Sequence, residues 1–279
     1  MPQANLCNMK SRQICCPILR EVNMTFTAGL VSVSFRKLSP EEIIRAATRA
    51  RLSSIEWGGD VHLPPGDPER ARRVLALTQA TGLRVSSYGS YFRIGVTPVE
   101  QFASVLTTAS ALCAPIVRVW AYDRYLPQCA GRIWDDLVRQ GAEIARMAED
   151  AGICIGLECH NHTLTEEYHS TLKFLQAVDH PALRMYWQPN EKRDFHYNMQ
   201  ALRALAPYVE GVHVFHWDEH DHYPLAEGIA QWRVYLSILQ EFSPKKQIPL
   251  LLEFMPDNQV DSLTAEADTL QRLIDEVCG

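Results

Sequence analysis

Nowhere in the sequence do apolar residues run for the roughly 20 positions that a membrane-spanning helix needs, so no membrane partner is expected. The opening residues, 1–23, hold Lys10, Arg12 and Arg20, but no apolar stretch of signal-peptide length follows them. The eight cysteines (Cys7, Cys15, Cys16, Cys113, Cys129, Cys154, Cys159 and Cys278) form no C-x-x-C pair and no ladder of regular spacing. They read as reduced thiols, which points to the cytoplasm and against a disulfide framework. No G-x-G-x-x-G or G-x-x-x-x-G-K-[ST] turn follows a strand-like segment, which removes support for nucleotide binding by those routes. An excess of basic charge is also missing. The formal net charge is −6, the wrong sign for a broad nucleic-acid-binding face, so no nucleic-acid partner is expected.

What is present is an ordinary globular composition, 47% hydrophobic and 22% charged over 279 residues. From Met24 onward, short β-rich runs alternate with helical stretches eight times. The strand candidates are Gly29 to Val33, Ser54 to Trp57, Leu83 to Tyr88, Ile116 to Trp120, Ile153 to Glu158, Leu183 to Trp187, Gly211 to His216 and Pro249 to Phe254. Ser39-Pro40-Glu41-Glu42 and Thr97-Pro98-Val99-Glu100 both read as N-cap, Pro at N1 and Glu at N3, and Asp67-Pro68 opens a helix similarly. Gly82 and Gly152 mark helix ends just before strands. Eight units without a composition break predict a single-domain α/β fold, the (β/α)8 TIM barrel, over residues 24–279. Residues 1–23 are expected to form an extension outside it.

Buried parallel strands should be apolar throughout, yet several of these end in polar residues. Ile55-Glu56-Trp57, Gly156-Leu157-Glu158-Cys159-His160, Tyr186-Trp187-Gln188, His213-Val214-Phe215-His216 and Leu251-Leu252-Glu253 are the clearest. In a TIM barrel these ends share one mouth, where active sites are found. Glu158, Gln188, His213 and Glu253, from the last four strands, would supply oxygen and nitrogen ligands to one divalent metal, Mn, Mg or Co. Taken singly, each Glu reads equally well as a cap or salt-bridge member, His213 as a core histidine and Gln188 as a structural hydrogen-bonder. The matched pair Glu158 and Glu253 is what favours a metal, because two unneutralised carboxylates in such a mouth would be costly. Trp57, Trp120, Trp187 and Trp217 are candidates for the aromatic wall of a carbohydrate pocket, or for core.

These segments, in this order, resemble the xylose-isomerase-like superfamily of sugar phosphate isomerases and epimerases, related to endonuclease IV. Ile55-Glu56-Trp57-Gly58-Gly59-Asp60-Val61-His62 and His213-Val214-Phe215-His216-Trp217 carry the likeness with the Glu158 and Glu253 segments. The resemblance implies a metal held by Glu, Asp, His and Glu, which fall here on Glu158, Gln188, His213 and Glu253. Gln188 departs from the usual Asp. It further implies proton transfer through an enediolate of a ketose or aldose, with Glu158 and Glu253 as acid and base. His160, His216 and Arg118 are the side chains expected to hold substrate hydroxyls, with Trp120 and Trp187 lining the pocket. A manganese-type isomerase or epimerase of carbohydrate metabolism, with a small sugar as its partner, is the expected function. A dehydratase of a keto-sugar or cyclitol, an endonuclease IV-like hydrolase and a non-catalytic sugar-binding barrel are the alternatives. Oligomeric state is left open, a homo-oligomer included.

Overall fold

The computed structural model describes residues 25–125, 131–242 and 246–279. Eight parallel strands close on themselves: β1 (Thr25–Val31), β2 (Ser54–Gly58), β3 (Arg84–Ile94), β4 (Ile116–Ala121), β5 (Cys154–Glu158), β6 (Leu183–Trp187), β7 (Val209–Val214) and β10 (Gln247–Leu252). Each neighbours the next around the ring, and β1 pairs with both β2 and β10. A two-stranded ladder, β8 (His216–Trp217) against β9 (His222–Tyr223), stands after β7. Eight helices surround the barrel: α1 (Pro40–Arg49), α2 (Pro68–Ala80), α3 (Phe102–Ala111), α4 (Arg132–Asp150), α5 (Tyr168–Val178), α6 (Phe195–Leu205), α7 (Leu225–Phe242) and α8 (Leu263–Cys278). The (β/α)8 barrel expected from the alternating pattern is therefore the fold. Among the described residues no helix is long and apolar enough to cross a membrane. The expected extension, residues 1–23, lies outside the described residues.

Local chemistry accounts for most boundaries. Ser39 accepts the amide of Glu42 while Glu42 accepts the amide of Ser39, so α1 starts on a complete capping box with Pro40 at its first position. Asp67 caps α2 through the amide of Arg70. Gly82 and Gly152 take positive φ, +81° and +70°, immediately after α2 and α4, where a Cβ would be strained. The Thr97 expectation is corrected. Pro98 is extended, a 3-10 turn (Val99–Gln101) precedes α3, and the Thr97 hydroxyl accepts the amide of Arg93 instead of capping. Four strands also end two residues or more from the expected position, among them β10, which stops at Leu252 and leaves Glu253 and Phe254 beyond it. β1 stops at Val31 because Ser32–Phe35 turns into a 3-10 helix, β3 continues to Ile94, and β7 ends at Val214, leaving His216 to the ladder.

Inside the barrel, one aromatic ring sets the packing. Tyr186 of β6 is fully buried and is flanked by Gly156 on β5 and Gly211 on β7. A Cβ at 156 would stand 2.7 Å from Cδ2 of that ring, and one at 211 would stand 2.4 Å from its Cζ. The Tyr186 hydroxyl reaches across to Ser87 Oγ on β3 at 3.0 Å. Two glycines thus make room for a ring whose hydroxyl joins opposite walls. We predict that Gly211→Ala lowers stability by about 1–3 kcal/mol through overpacking, read as a lower urea midpoint with unchanged slope. An unchanged midpoint would show that the ring can yield.

Candidate metal centre

At the carboxyl ends of the strands, side chains from β2, β4, β5, β6, β7 and the residue after β10 converge. His213 on β7 is the hub, with no exposed surface. Its Nδ1 lies 3.2 Å from Glu158 Oε1, 2.8 Å from Gln188 Oε1 and 3.4 Å from Glu253 Oε2. Separations near 3 Å between donor atoms are what bonds of about 2.1 Å at right angles produce, the geometry of a small divalent cation. Glu158, His213 and Glu253 are all buried, and one ligand atom from each lies within 4.8 Å of the others. The amide oxygen of Gln188 faces the same nitrogen, so the four side chains expected as ligands are brought together around it. The donor set, one nitrogen and three oxygens, fits a divalent cation and does not by itself select which.

A second layer of charge lies below. Arg118, 2% exposed, donates from Nε to Glu56 Oε1 at 2.7 Å and from Nη1 to Glu158 Oε2. Glu56 also accepts from Ser87 at 2.7 Å and stands 3.5 Å from His213 Nε2. Gly89 leaves the space for this couple, because a Cβ there would come within 2.6 Å of Arg118 Nη2. Glu158 Oε2 takes a further hydrogen bond from Trp120 Nε1 at 2.5 Å. Burial pushes the Glu158 carboxyl up, but Arg118 and then His213 outweigh it and hold it down at about 2. Burial likewise disfavours a charged His213, yet Glu253 and Glu56 raise it well above the ordinary imidazole value. With His213 neutral, Glu56, Glu158 and Glu253 against Arg118 leave a charge of −2, which one dication cancels.

The residues expected to hold substrate divide. Trp120 and His160 stay at the mouth, their rings 4.9 Å apart, with Tyr91 edge-on to Trp120 at 5.1 Å. His216 is half-buried on the ladder, packed on Gly228, and faces a cavity of about 310 Å3 beside Glu191 and Trp217. Arg118 is engaged first by carboxylates: two of its three guanidinium nitrogens, Nε and Nη1, are taken by Glu56 and Glu158. Trp187 alternates with the inward Tyr186 and packs outward on Tyr235 and Trp232, and Trp57 is also fully buried. Trp217 lies between Phe215 and His222, with centroids at 3.7 and 4.5 Å. Phe254, next to Glu253, has φ +50°, a left-handed conformation unusual for an aromatic residue. Glu56 and Ser87 went unassigned in the sequence, although a carboxylate inside the apolar run Ser54-Ile55-Glu56-Trp57 was the available signal.

Two outcomes follow for metal binding. A cation must displace the proton that the anionic cage holds on His213, so apparent affinity should rise as pH rises towards the elevated imidazole value. Titration of Mn2+ at pH 7 should release about one proton per ion. Absence of release, or full binding by His213→Ala, would remove His213 from the ligand set. Gln188→Asp adds a charged oxygen and should tighten Mn2+ by about tenfold or more. Unchanged affinity would remove Gln188.

Among curated proteins none matches the chain by sequence. Solved structures do match in fold. The probable 3-DHS dehydratase AsbF of petrobactin synthesis from Bacillus anthracis is 20% identical, with a TM-score of 0.72 over 88% of this chain and 98% of that one. D-allulose 3-epimerase from Methylomonas sp., in complex with D-allulose, is 17% identical, with a TM-score of 0.68 over 90% and 99%. The IOLI protein with a bound zinc atom is 12% identical, with a TM-score of 0.68 over 90% and 99%. Similarity at these identities is a similarity of fold. The sequence itself matches a family model, described as xylose isomerase-like TIM barrel, over residues 44–244. With most of its length under that match, the chain belongs to the xylose isomerase-like TIM barrel family.

Proposed function

We propose that the chain is a divalent-metal-dependent isomerase or epimerase acting on a ketose, aldose or sugar derivative through an enediolate. One observation carries this reading: two carboxylates, Glu158 Oε1 and Glu253 Oε2, face the same imidazole nitrogen at 3.2 and 3.4 Å in a buried mouth. A cation held there would supply Lewis-acid stabilisation of a developing oxyanion.

The chain's own residues divide the remaining work. Glu158 is tied by Arg118 and Trp120 through Oε2, which keeps it ionised and fixes its direction. Glu253 has no arginine or lysine partner among the described residues and is the more accessible of the two, its side chain 10% exposed against 3%. We therefore assign proton abstraction from carbon to Glu253, whose carboxyl then holds that proton for return to the enediolate, and keep the ionised Glu158 as the fixed ligand that would hold the cation on the other side. Gln188 replaces a charge with an amide, so an anionic enediolate meets less repulsion than it would beside three carboxylates around the ion. Trp120, Tyr91 and His160 offer ring faces and edges to the apolar side of a sugar.

A lyase is the second reading, favoured by the fold likeness to a dehydratase. The same enediolate can expel a β-hydroxyl instead of regaining a proton. Endonuclease chemistry is disfavoured, since it calls for a cluster of metals and a basic face. The described residues gather only one group of metal-ligating acids and histidines, and the net charge is −6.

An NMR screen of ketoses in deuterated water with Mn2+ tests the proposal. Deuterium entering a carbon next to the carbonyl is expected, whereas net loss of water would assign the lyase. Glu158→Gln and Glu253→Gln should each lose about 10²–10⁴-fold in rate while circular dichroism stays unchanged. Near-normal turnover in either variant would refute its assigned role.

A further inference from the structure

The barrel end opposite the metal cluster is filled only in part: beside the apolar Val85 and Ile116 it keeps open space with polar walls. At the amino ends of the strands a cavity of about 350 Å3 is walled by Thr27, Ser54, Arg84, Ser86, Cys154 and Gln247, with others. Ser54 and Ser86 are 3% and 8% exposed, and neither hydroxyl has a hydrogen-bond partner. Buried hydroxyls are ordinarily paired, so two orphans on one cavity wall call for a partner inside it. The volume is about ten times the share of one water in the liquid, which leaves room for a larger guest.

Charge at this end selects the guest. Arg84 is exposed and makes one long contact, 3.5 Å to Gln247 Oε1, with no acid in ion-pairing range among the described residues. Glu210, also on the wall, is already engaged by Lys246 at 2.5 Å and Arg184 at 3.6 Å. The one carboxylate on the wall is thus already paired with two cations, and Arg84 is left as the wall's cation without an acidic partner among the described residues. A guanidinium with two donor hydroxyls matches the oxygens of a small anion, because its planar N–H fork pairs with them and the hydroxyls complete the shell.

We propose that this cavity is a second binding site, for a small oxyanion of the phosphate or carboxylate type, held by Arg84 with Ser54 and Ser86 donating. It is separate from the metal cluster and does not depend on the sugar reading. Cys154 stands on the cavity wall and reports occupancy, while Cys113 and Cys278 are exposed and serve as internal controls.

In the full chain, alkylation by iodoacetamide is followed residue by residue by mass spectrometry, with inorganic phosphate in one arm and acetate in the other. Either anion, at saturation, should slow Cys154 while leaving Cys113 and Cys278 unchanged. Protection by phosphate alone assigns the phosphate type, protection by acetate alone assigns the carboxylate type, and protection by both assigns a site open to either oxyanion. Calorimetric titration of the same anions reads the site without the thiol. Arg84→Gln should weaken binding about tenfold or more, and Ser54→Ala should weaken it too. Unchanged Cys154 reactivity together with no calorimetric binding, or binding undiminished in Arg84→Gln, overturns the proposal.

Discussion

Arg118 carries its charge inside the barrel, between Glu56 and Glu158, and the arrangement above it follows from that placement. Removing one partner of a buried ion pair costs about 3–5 kcal/mol, because the remaining charge is left uncompensated. Both carboxylates are therefore fixed in direction as well as kept ionised. Glu158 has one oxygen bound below and one turned to the mouth. Glu56 sits beside the far nitrogen of His213, which orients the near nitrogen towards Gln188, Glu158 and Glu253. The Tyr186 hydroxyl and Ser87 extend this polar layer across the barrel, and glycines 89, 156 and 211 make the space for it.

Much of this was legible in the sequence, for reasons that can be named. The eight strands were visible because parallel strands are apolar on both faces, and the turns beside them carry capping chemistry. Ser39, Asp67, Gly82 and Gly152 behave as their residue types require. Glu158, Gln188, His213 and Glu253 stood out as polar residues ending apolar runs. The orientation of a side chain was harder to read. Trp187 follows the inward Tyr186 and so faces outward, packing on Tyr235 and Trp232 and lining the space beside His160 and Gln188 on the outer side of the strand. Register shifts in β3, between its pairings with Ile55 and Glu56 and again between Gly89 and Arg93, break the simple alternation near the site. The ion pairs of Arg118 were not legible because its buried partners lie 62 and 40 residues away in sequence, beyond any local signal.

Gln188 contributes to the cluster through geometry alone. The amide reaches the same imidazole nitrogen as the two glutamates, yet brings no charge. Local neutrality then depends on the balance of three carboxylates, one arginine and the cation. Fold likeness at 12–20% identity speaks to backbone position and not to the charge at a given side chain.

The central claim is that His213 Nδ1, with Glu158, Gln188 and Glu253, surrounds one divalent cation. Pulsed electron paramagnetic resonance of the Mn2+-loaded protein tests it most directly, since a ligating imidazole modulates the electron spin echo through its nitrogen. The arrangement predicts modulation from a single histidine nitrogen, lost in His213→Gln. An echo without nitrogen modulation, or one that persists in that variant, would contradict it.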